Sequence, residues 1–210
     1  MNDAEHTWLA WAKRLQALAS TGAHFSSDPY DLERYREIGR IANDMLADIA
    51  AVPPSRIEGL VSDFATGYTT PKVDVRGAVI CDDKVLLVRE ASDRLWTLPG
   101  GYADVGISPA ENVVKEIWEE ASIRVAARSL YAIRHKARHG YDADVRDFYK
   151  LFFLCEPIGG MRIQPGPETI DVGFFAADAL PPLSTGRVIA RDITAAFEHR
   201  AGASRAVAFD

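Results

Sequence analysis

Three glutamates, Glu116, Glu119 and Glu120, fall within five residues of one another, downstream of a glycine pair at Gly100-Gly101. Between them lies Ser108-Pro109-Ala110-Glu111, which combines a capping serine, proline at the first helical position and glutamate three residues after the cap. That combination predicts a helix start. At about 100° per residue, the three carboxylates and Asn112 share a sector of about 100° of arc, with Ala110, Val114, Ile117 and Ala121 on the other side. Like charges at these spacings destabilise a bare helix by about 0.2–0.5 kcal/mol per pair. They also sit toward the helix C-terminus, where the macrodipole is already negative. A solvated acidic face is the plain reading of such a cluster. A hard divalent cation, Mg²⁺ or Mn²⁺, answers both objections, because it takes carboxylate oxygens, keeps waters and bridges to a substrate phosphate.

The surrounding pattern supplies a scaffold. Strand-like periodicity begins at Lys72: Val73 and Val75 alternate with polar residues, and Ala78-Val79-Ile80-Cys81 is continuously apolar. Asp82-Asp83 reads as a turn, and Lys84-Val85-Leu86-Leu87-Val88-Arg89 as the returning strand of a hairpin. Further strands are expected over 123–137, 146–155 and 171–176, and a last helix over about 186–200. Before residue 72 the chain reads as helical. One segment runs from Trp8 through Leu18 to a stop at Ser20-Thr21-Gly22. A second, capped at Ser27-Asp28-Pro29, reaches about Ala51 with Tyr35, Ile38, Ile41, Ala42, Met45, Leu46 and Ile49 as its buried stripe. Residues 55–71 allow a short helix and a linker.

The chain has 210 residues, 48% of them apolar, with 24 Lys+Arg against 30 Asp+Glu for a net charge of −6. This is an ordinary globular composition without an electrostatic footprint for nucleic acid or an anionic membrane. The opening MNDAEHTWLAWAKRL has no long apolar run, so neither a signal peptide nor a membrane span is expected, and a cytoplasmic location follows. Cys81 and Cys155 sit in apolar strands and read as reduced thiols.

From Gly101 the residues resemble the signature of the Nudix hydrolases, G-x5-E-x7-R-E-U-x-E-E-x-G-U, where U is aliphatic. Gly101, Glu116, Ile117, Glu119, Glu120 and Ile123 match. Ile107 stands for the first glutamate, Lys115 for the arginine and Ser122 for the second glycine. In the family the first glutamate and the arginine brace the loop by a salt bridge, so Ile107 is read as a brace by packing. Ser122 gives up a helix-terminating glycine, at a modest cost if its position is left-handed. The helical arm, with DPYDLERY, and the stretch KVLLVREASDRLWTLPGGYADVG are similar to a bacterial subgroup described as CDP-choline or ADP-ribose pyrophosphatases.

The resemblance implies an α+β fold: a Nudix α/β/α sandwich with a mixed sheet over residues 67–210, behind a small helical domain over 1–66. It implies hydrolysis of a nucleoside diphosphate linked to another group, with CDP-choline or a related CDP-alcohol first and ADP-ribose second. A non-catalytic nucleotide sensor and an RNA-end-processing enzyme are more distant readings. Glu116, Glu119, Glu120 and the Gly100 carbonyl would hold Mg²⁺ or Mn²⁺, with Glu119 or Glu168 as catalytic base and Asp171 as a weaker candidate. Arg76, Arg89 and Tyr102 are candidate substrate contacts. The run Arg134-His135-Lys136-Ala137-Arg138-His139 is either a solvated hairpin end or a phosphate contact. Trp96 and Trp118 could stack a base or cage a quaternary ammonium, although Trp118 reads better as core or interface. Trp8 and Trp11 are expected to pack within the helical arm or against a second subunit, because the family is often dimeric.

Overall fold

The structure, a computed structural model, describes residues 7–62, 67–202 and 206–210. The chain divides into two compact units, the first comprising Met1–Lys72, Ala137–His139 and Ala143–Phe148, and the second Val73–Lys136, Gly140–Asp142 and Tyr149–Asp210. Residues 63–66, which adjoin the expected domain boundary and lie within the expected linker, fall outside the described residues. No helix among the described residues is long and apolar enough to cross a membrane.

The first unit holds α1 (Thr7–Phe25), α2 (Pro29–Ala50) and α3 (Pro54–Ser62). The expected cap is present on α2, where the Asp28 carboxylate accepts from the backbone N–H groups of Tyr30 and Asp31 and Pro29 opens the first turn. The expected stop at Ser20-Thr21-Gly22 is overrun, and α1 continues to Phe25. Gly22 serves packing instead: a Cβ there would lie 2.3 Å from the Tyr35 ring. Leu9, Ala12, Leu46, Ala47 and Ile57 form the small core of this unit. The expected stripe on α2 is only partly inside, since Ala42 and Leu46 are buried while Ile38, Ile41 and Ile49 are exposed. On α1 the stripe Trp8, Trp11, Leu15 and Leu18 also faces outward.

The second unit is a six-stranded mixed sheet built from β1 (Lys72–Cys81), β2 (Lys84–Glu90), β3 (Trp96–Thr97), β4 (Val125–His135), β5 (Phe148–Pro157) and β6 (Thr169–Ala176). Its order is β3-β2-β1-β5-β4, with β6 on β2. The predicted β1–β2 hairpin forms around Asp82 and Asp83, both at positive φ (48° and 54°), the geometry of a type I′ turn. Two helices cover the sheet: α4 (Pro109–Ala121) and α5 (Ala190–Arg200). Val113, Ile117 and Ala121 of α4 pack on Val75, Val79, Leu86 and Val88. Ile193 and Ala196 of α5 pack on Ala78, Ile80, Leu87 and Phe152 on the other face. Gly77 is what lets α4 sit so close, because a Cβ there would lie 2.5 Å from Ile117 Cδ1.

One departure from a simple hairpin creates the site. β1 and β2 pair only beside their turn, at Ile80↔Val85 and Cys81↔Lys84. Beyond it they part, and β1 is flanked by the Pro99–Ala103 segment: Gly77 N donates to Pro99 O, Val75 N to Gly101 O, and Ala103 N to Val73 O. The glycine pair is therefore seated in an opened sheet.

Candidate active site

Gly100 adopts φ +144°, and a Cβ there would lie 2.0 Å from the Val75 carbonyl oxygen. Only glycine permits this approach. The carbonyls of Pro99 and Gly101 are taken by β1, whereas among the described residues the Gly100 carbonyl accepts no backbone bond. Its N–H donates to Glu120 Oε2 at 2.9 Å. A Cβ on Gly101 would lie 2.9 Å from Glu116 Oε2. Two carboxylates from successive turns of α4 thus close on two successive glycines.

The helix that presents them is capped as the sequence predicts. Ser108 Oγ accepts from Glu111 N, Glu111 Oε2 accepts from Ser108 N, and Pro109 fills the first turn. The other end stops at Ser122 in the left-handed conformation, φ 56°, the case in which a non-glycine residue carries a modest cost.

Burial pushes the Glu120 carboxyl, 6% exposed, up to about 8; Arg76 and the Gly100 N–H oppose that rise, and Glu90 and Glu116 add to it. Glu116, half-buried, is also raised, first by desolvation and further by the neighbouring carboxylates Glu119 and Asp104, against Lys115 and Arg76. Such a pair is held at a cost unless a cation arrives. Among the described residues no three acidic, histidine or cysteine side chains form a ready metal cage. A magnesium-type ion does not need one, since it takes one or two carboxylates and completes its shell with waters and phosphate oxygens. Glu116, Glu120 and the uncommitted Gly100 carbonyl fit that demand.

Glu119 stands apart from this pair. It is exposed and ion-paired to Lys115 at 3.2 Å. Lys115 Nζ also reaches Asp104 Oδ2 at 2.9 Å. This last contact corrects the expectation for Ile107, which is 40% exposed and joins none of the buried clusters. The loop is fixed instead by the Lys115–Asp104 pair and by Asn112, which is fully buried. Asn112 accepts from Asp104 N at 2.8 Å and donates to the carbonyls of Asp104, Ile107 and Ser108.

Glu168 lies exposed on the loop before β6, and that loop is tied to the end of α4. Gln164 N donates to Ala121 O, Gly166 N to Glu120 O, and Thr169 Oγ1 to Glu120 O. Gly166 is obligatory here, because a Cβ would lie 1.7 Å from the Glu119 carbonyl oxygen. The Glu168 carbonyl also accepts from Ala91 N, which sets Glu168 beside Glu90. Asp171 is exposed and accepts from its neighbour Val172 N.

Arg76 is buried under the carboxylates, donating through Nε to Asp74 at 2.9 Å and through Nη1 to the Leu98 carbonyl at 3.2 Å; against its burial, Asp74 first and then Glu120 and Glu90 hold it charged. Arg89 is half-buried and braces its own loop through Nε to the Arg94 carbonyl. Tyr102 bridges to Asp74 by its backbone and is half exposed beside the glycines. Of the flanking tryptophans, Trp96 belongs to the core, edge-on to Phe175 at 4.6 Å. Trp118 is not core: it is exposed on α4 with Arg124 over its ring at 5.6 Å. Arg134 and Lys136 are buried, so this part of the basic run is not a solvated end. Cys81 and Cys155 are both free thiols, the latter pushed up to about 12 by burial.

Sequence reading missed Glu90. It ends β2 nearly buried, ion-paired to Arg187 Nε at 3.1 Å, and its charge is felt by both Arg76 and Glu120. An acid closing an otherwise apolar strand was the available hint.

The class of protein to which this α+β fold and its capped glutamate helix belong is given by comparison with known families. Residues 71–197 match the family model described as "NUDIX domain", and residues 6–61 the model "UDP-X-like, N-terminal oligomerisation domain". The chain belongs to the Nudix family and is a Nudix hydrolase. It is 39% identical over 203 residues to the putative ADP-ribose pyrophosphatase YjhB of Bacillus subtilis, covering 97% of each chain. A solved ADP-ribose pyrophosphatase from Streptococcus suis is 41% identical, with TM-score 0.57 over 67% of this chain and all of that one. A solved UDP-X diphosphatase is 30% identical, with TM-score 0.63 over 97% of this chain and 98% of that one. Nudix enzymes act on nucleoside diphosphate substrates and generally use divalent metal ions.

Proposed function

We propose that this enzyme hydrolyses the diphosphate of a nucleoside diphosphate linked to a second moiety, with Mg²⁺ or Mn²⁺ held by Glu116, Glu120 and the Gly100 carbonyl. The observation that carries this reading is the convergence of Glu116 and Glu120 on Gly100-Gly101, with both carboxyls raised and no lysine or arginine bonded to either through its own oxygens among the described residues beyond longer-range charge from Arg76 and Lys115. The ion, when bound, neutralises the diphosphate and acidifies an attacking water. Arg76, charged and fixed by Asp74, supplies a constant positive field beneath the carboxylates. Glu168 is the base we favour, because its loop is anchored on the helix that bears the pair; Glu119, held by Lys115, is the second candidate. The base takes a proton from the water as its oxygen bonds to phosphorus, and the bridging P–O bond breaks to release a nucleoside monophosphate and a phosphorylated partner. Tyr102, exposed beside the glycines, is the substrate contact we favour, and support for Arg89 is limited to the bond that holds its loop.

For the second moiety, CDP-choline or a related CDP-alcohol is the first substrate to test. An aromatic contact for choline would rest on Tyr102, since Trp96 lies in the core. ADP-ribose is favoured by a separate observation, the similarity to the putative ADP-ribose pyrophosphatase of Bacillus subtilis and the ADP-ribose pyrophosphatase of Streptococcus suis. The deciding experiment offers CDP-choline, ADP-ribose, NADH, a UDP-linked sugar and capped RNA with Mg²⁺ or Mn²⁺ and measures monophosphate release. Turnover of none of them by the wild type would sink the proposal.

We further propose a homodimer formed through the outward stripes of α1 and α2. Trp8, Trp11, Leu15 and Leu18 recur at helical spacing on one side of α1, and the family model matched there is described as an oligomerisation domain.

A further inference from the structure

A second charged group of the catalytic unit lacks a partner, on the face of the sheet opposite α4. Arg134 of β4 is 6% exposed, and its enclosed Nε has no hydrogen-bond partner among the described residues. No carboxylate among the described residues makes an ion pair with its guanidinium. The Tyr131 hydroxyl, on a residue 2% exposed, is likewise enclosed without a partner. The register shift between Leu130 and Ala132 accounts for Tyr131 joining Ala132 and Phe152 in the core beneath α5.

The carboxylates that could have answered Arg134 are already engaged. Asp74 is bonded by both Arg76 and Lys150, and Lys150 is the cross-strand partner of Arg134. Asp192, at the start of α5, accepts from Tyr141 Oη at 2.6 Å and from Ile189 N at 3.1 Å. Three buried cations, Arg76, Lys150 and Arg134, thus share this face with two carboxylates whose hydrogen bonds go elsewhere; Asp192 feels the Arg134 charge without bonding it. Lys150 is pushed down to about 8 by burial, with Arg76 and Lys136 adding to the fall and Asp74 opposing it.

We propose that Arg134 and Tyr131 form a buried oxyanion site beneath α5, separate from the carboxylate site, that takes a phosphate group. A guanidinium donates only, in a planar fork that matches phosphate oxygens, and a tyrosine hydroxyl adds a directional donor. A desolvated charge without a partner is costly, and an oxyanion is the ligand that cancels both orphaned groups at once. Arg134 lies two strands from Arg76 across β1, β5 and β4, about 10 Å at the usual interstrand spacing. The phosphate is either free in solution or the phosphoryl group of a nucleotide.

The test is calorimetric titration and thermal melting in EDTA with inorganic phosphate and, separately, CMP, on the wild type, Arg134→Met and Tyr131→Phe. Without metal, the carboxylate site does not contribute, so failure here leaves the proposed hydrolysis standing, and inactivity toward every diphosphate would leave this site standing. Wild type is expected to bind and to melt higher with ligand. Arg134→Met should lose the response, and Tyr131→Phe should weaken it about tenfold, the loss of one hydrogen bond to a charged group. Ligand-free Arg134→Met should melt at or above the wild type, because no hydrogen-bonded or ion-paired internal partner is stranded. A response to phosphate assigns the free anion, and a response to CMP alone assigns the nucleotide. Equal responses of wild type and Arg134→Met to both ligands, or a ligand-free Arg134→Met several degrees less stable, would overturn the site.

Discussion

Trp8, Trp11, Leu15 and Leu18 stand on the outside of α1, while Asp74, Arg76, Glu120, Arg134 and Lys150 are sealed inside the sheet unit. Each unit departs from the ordinary distribution of residues in the opposite direction. A helical hairpin with a small core has too little interior to bury two tryptophans, so its apolar surplus lies outside, on the face proposed to meet a second copy. A two-faced sandwich has interior to spare, and there it can hold charges at raised free energy for a ligand to relieve. The comparison teaches where to look: outside the first unit for a protein partner, inside the second for ions.

The largest expected effect breaks the sheet unit's half of that contrast. Glu120→Gln should lower kcat at least about 100-fold, because it removes a proposed ligand to the ion, and should abolish the difference between Mg²⁺ and no metal. Its metal-free stability sharpens the point. The Glu120 carboxyl is raised to about 8 in the fold, so the folded state binds the extra proton. Stability of the metal-free wild type should therefore fall as pH rises from about 4.5 to 8, and urea melts of Glu120→Gln should lack that component. A pH-independent wild type would remove the claim that this carboxylate is held at a cost.

On the helical unit, Trp11→Glu should weaken self-association by about 30-fold or more, the scale of an interface hot spot, as read by sedimentation equilibrium. A wild-type monomer at micromolar concentration would end the idea of an adhesive face. Next comes Asn112→Leu, which strips the four loop bonds; it should cost about 1–3 kcal/mol in chemical denaturation and reduce kcat without changing the oligomer. Smallest is Asp104→Asn, which loses an exposed ion pair with Lys115 and should change stability by less than about 1 kcal/mol. An effect larger than that of Asn112→Leu would reverse the assignment of the loop brace.

The capped glutamate helix and the β1–β2 hairpin were legible because their signals are local: Ser108-Pro109 with Glu111, and Asp82-Asp83 between apolar runs. Gly22 was misread because a glycine in a helix looks like a terminator until the ring of Tyr35, brought from another helix, is seen against it. Ile107 was misread for a similar reason. The vacancy left by the missing acid is filled by Asp104, three residues earlier, and by Asn112, whose polar face looked like part of the acidic one. Glu90 and Arg134 carry no spacing signal at all, since their meaning arises from strands that meet only in the sheet.

The anchorage of Gly166 on the last turn of α4 has a consequence for how this chain can change. Glu168 takes its place from bonds at 164–169 and not from the length of chain that leads to it. Insertions or deletions within 158–163 would then be absorbed as slack upstream of the clamp, leaving the carboxylate in register. The segment leading to the clamp is free to lengthen, shorten and diversify, while position 166 within it tolerates no side chain larger than hydrogen.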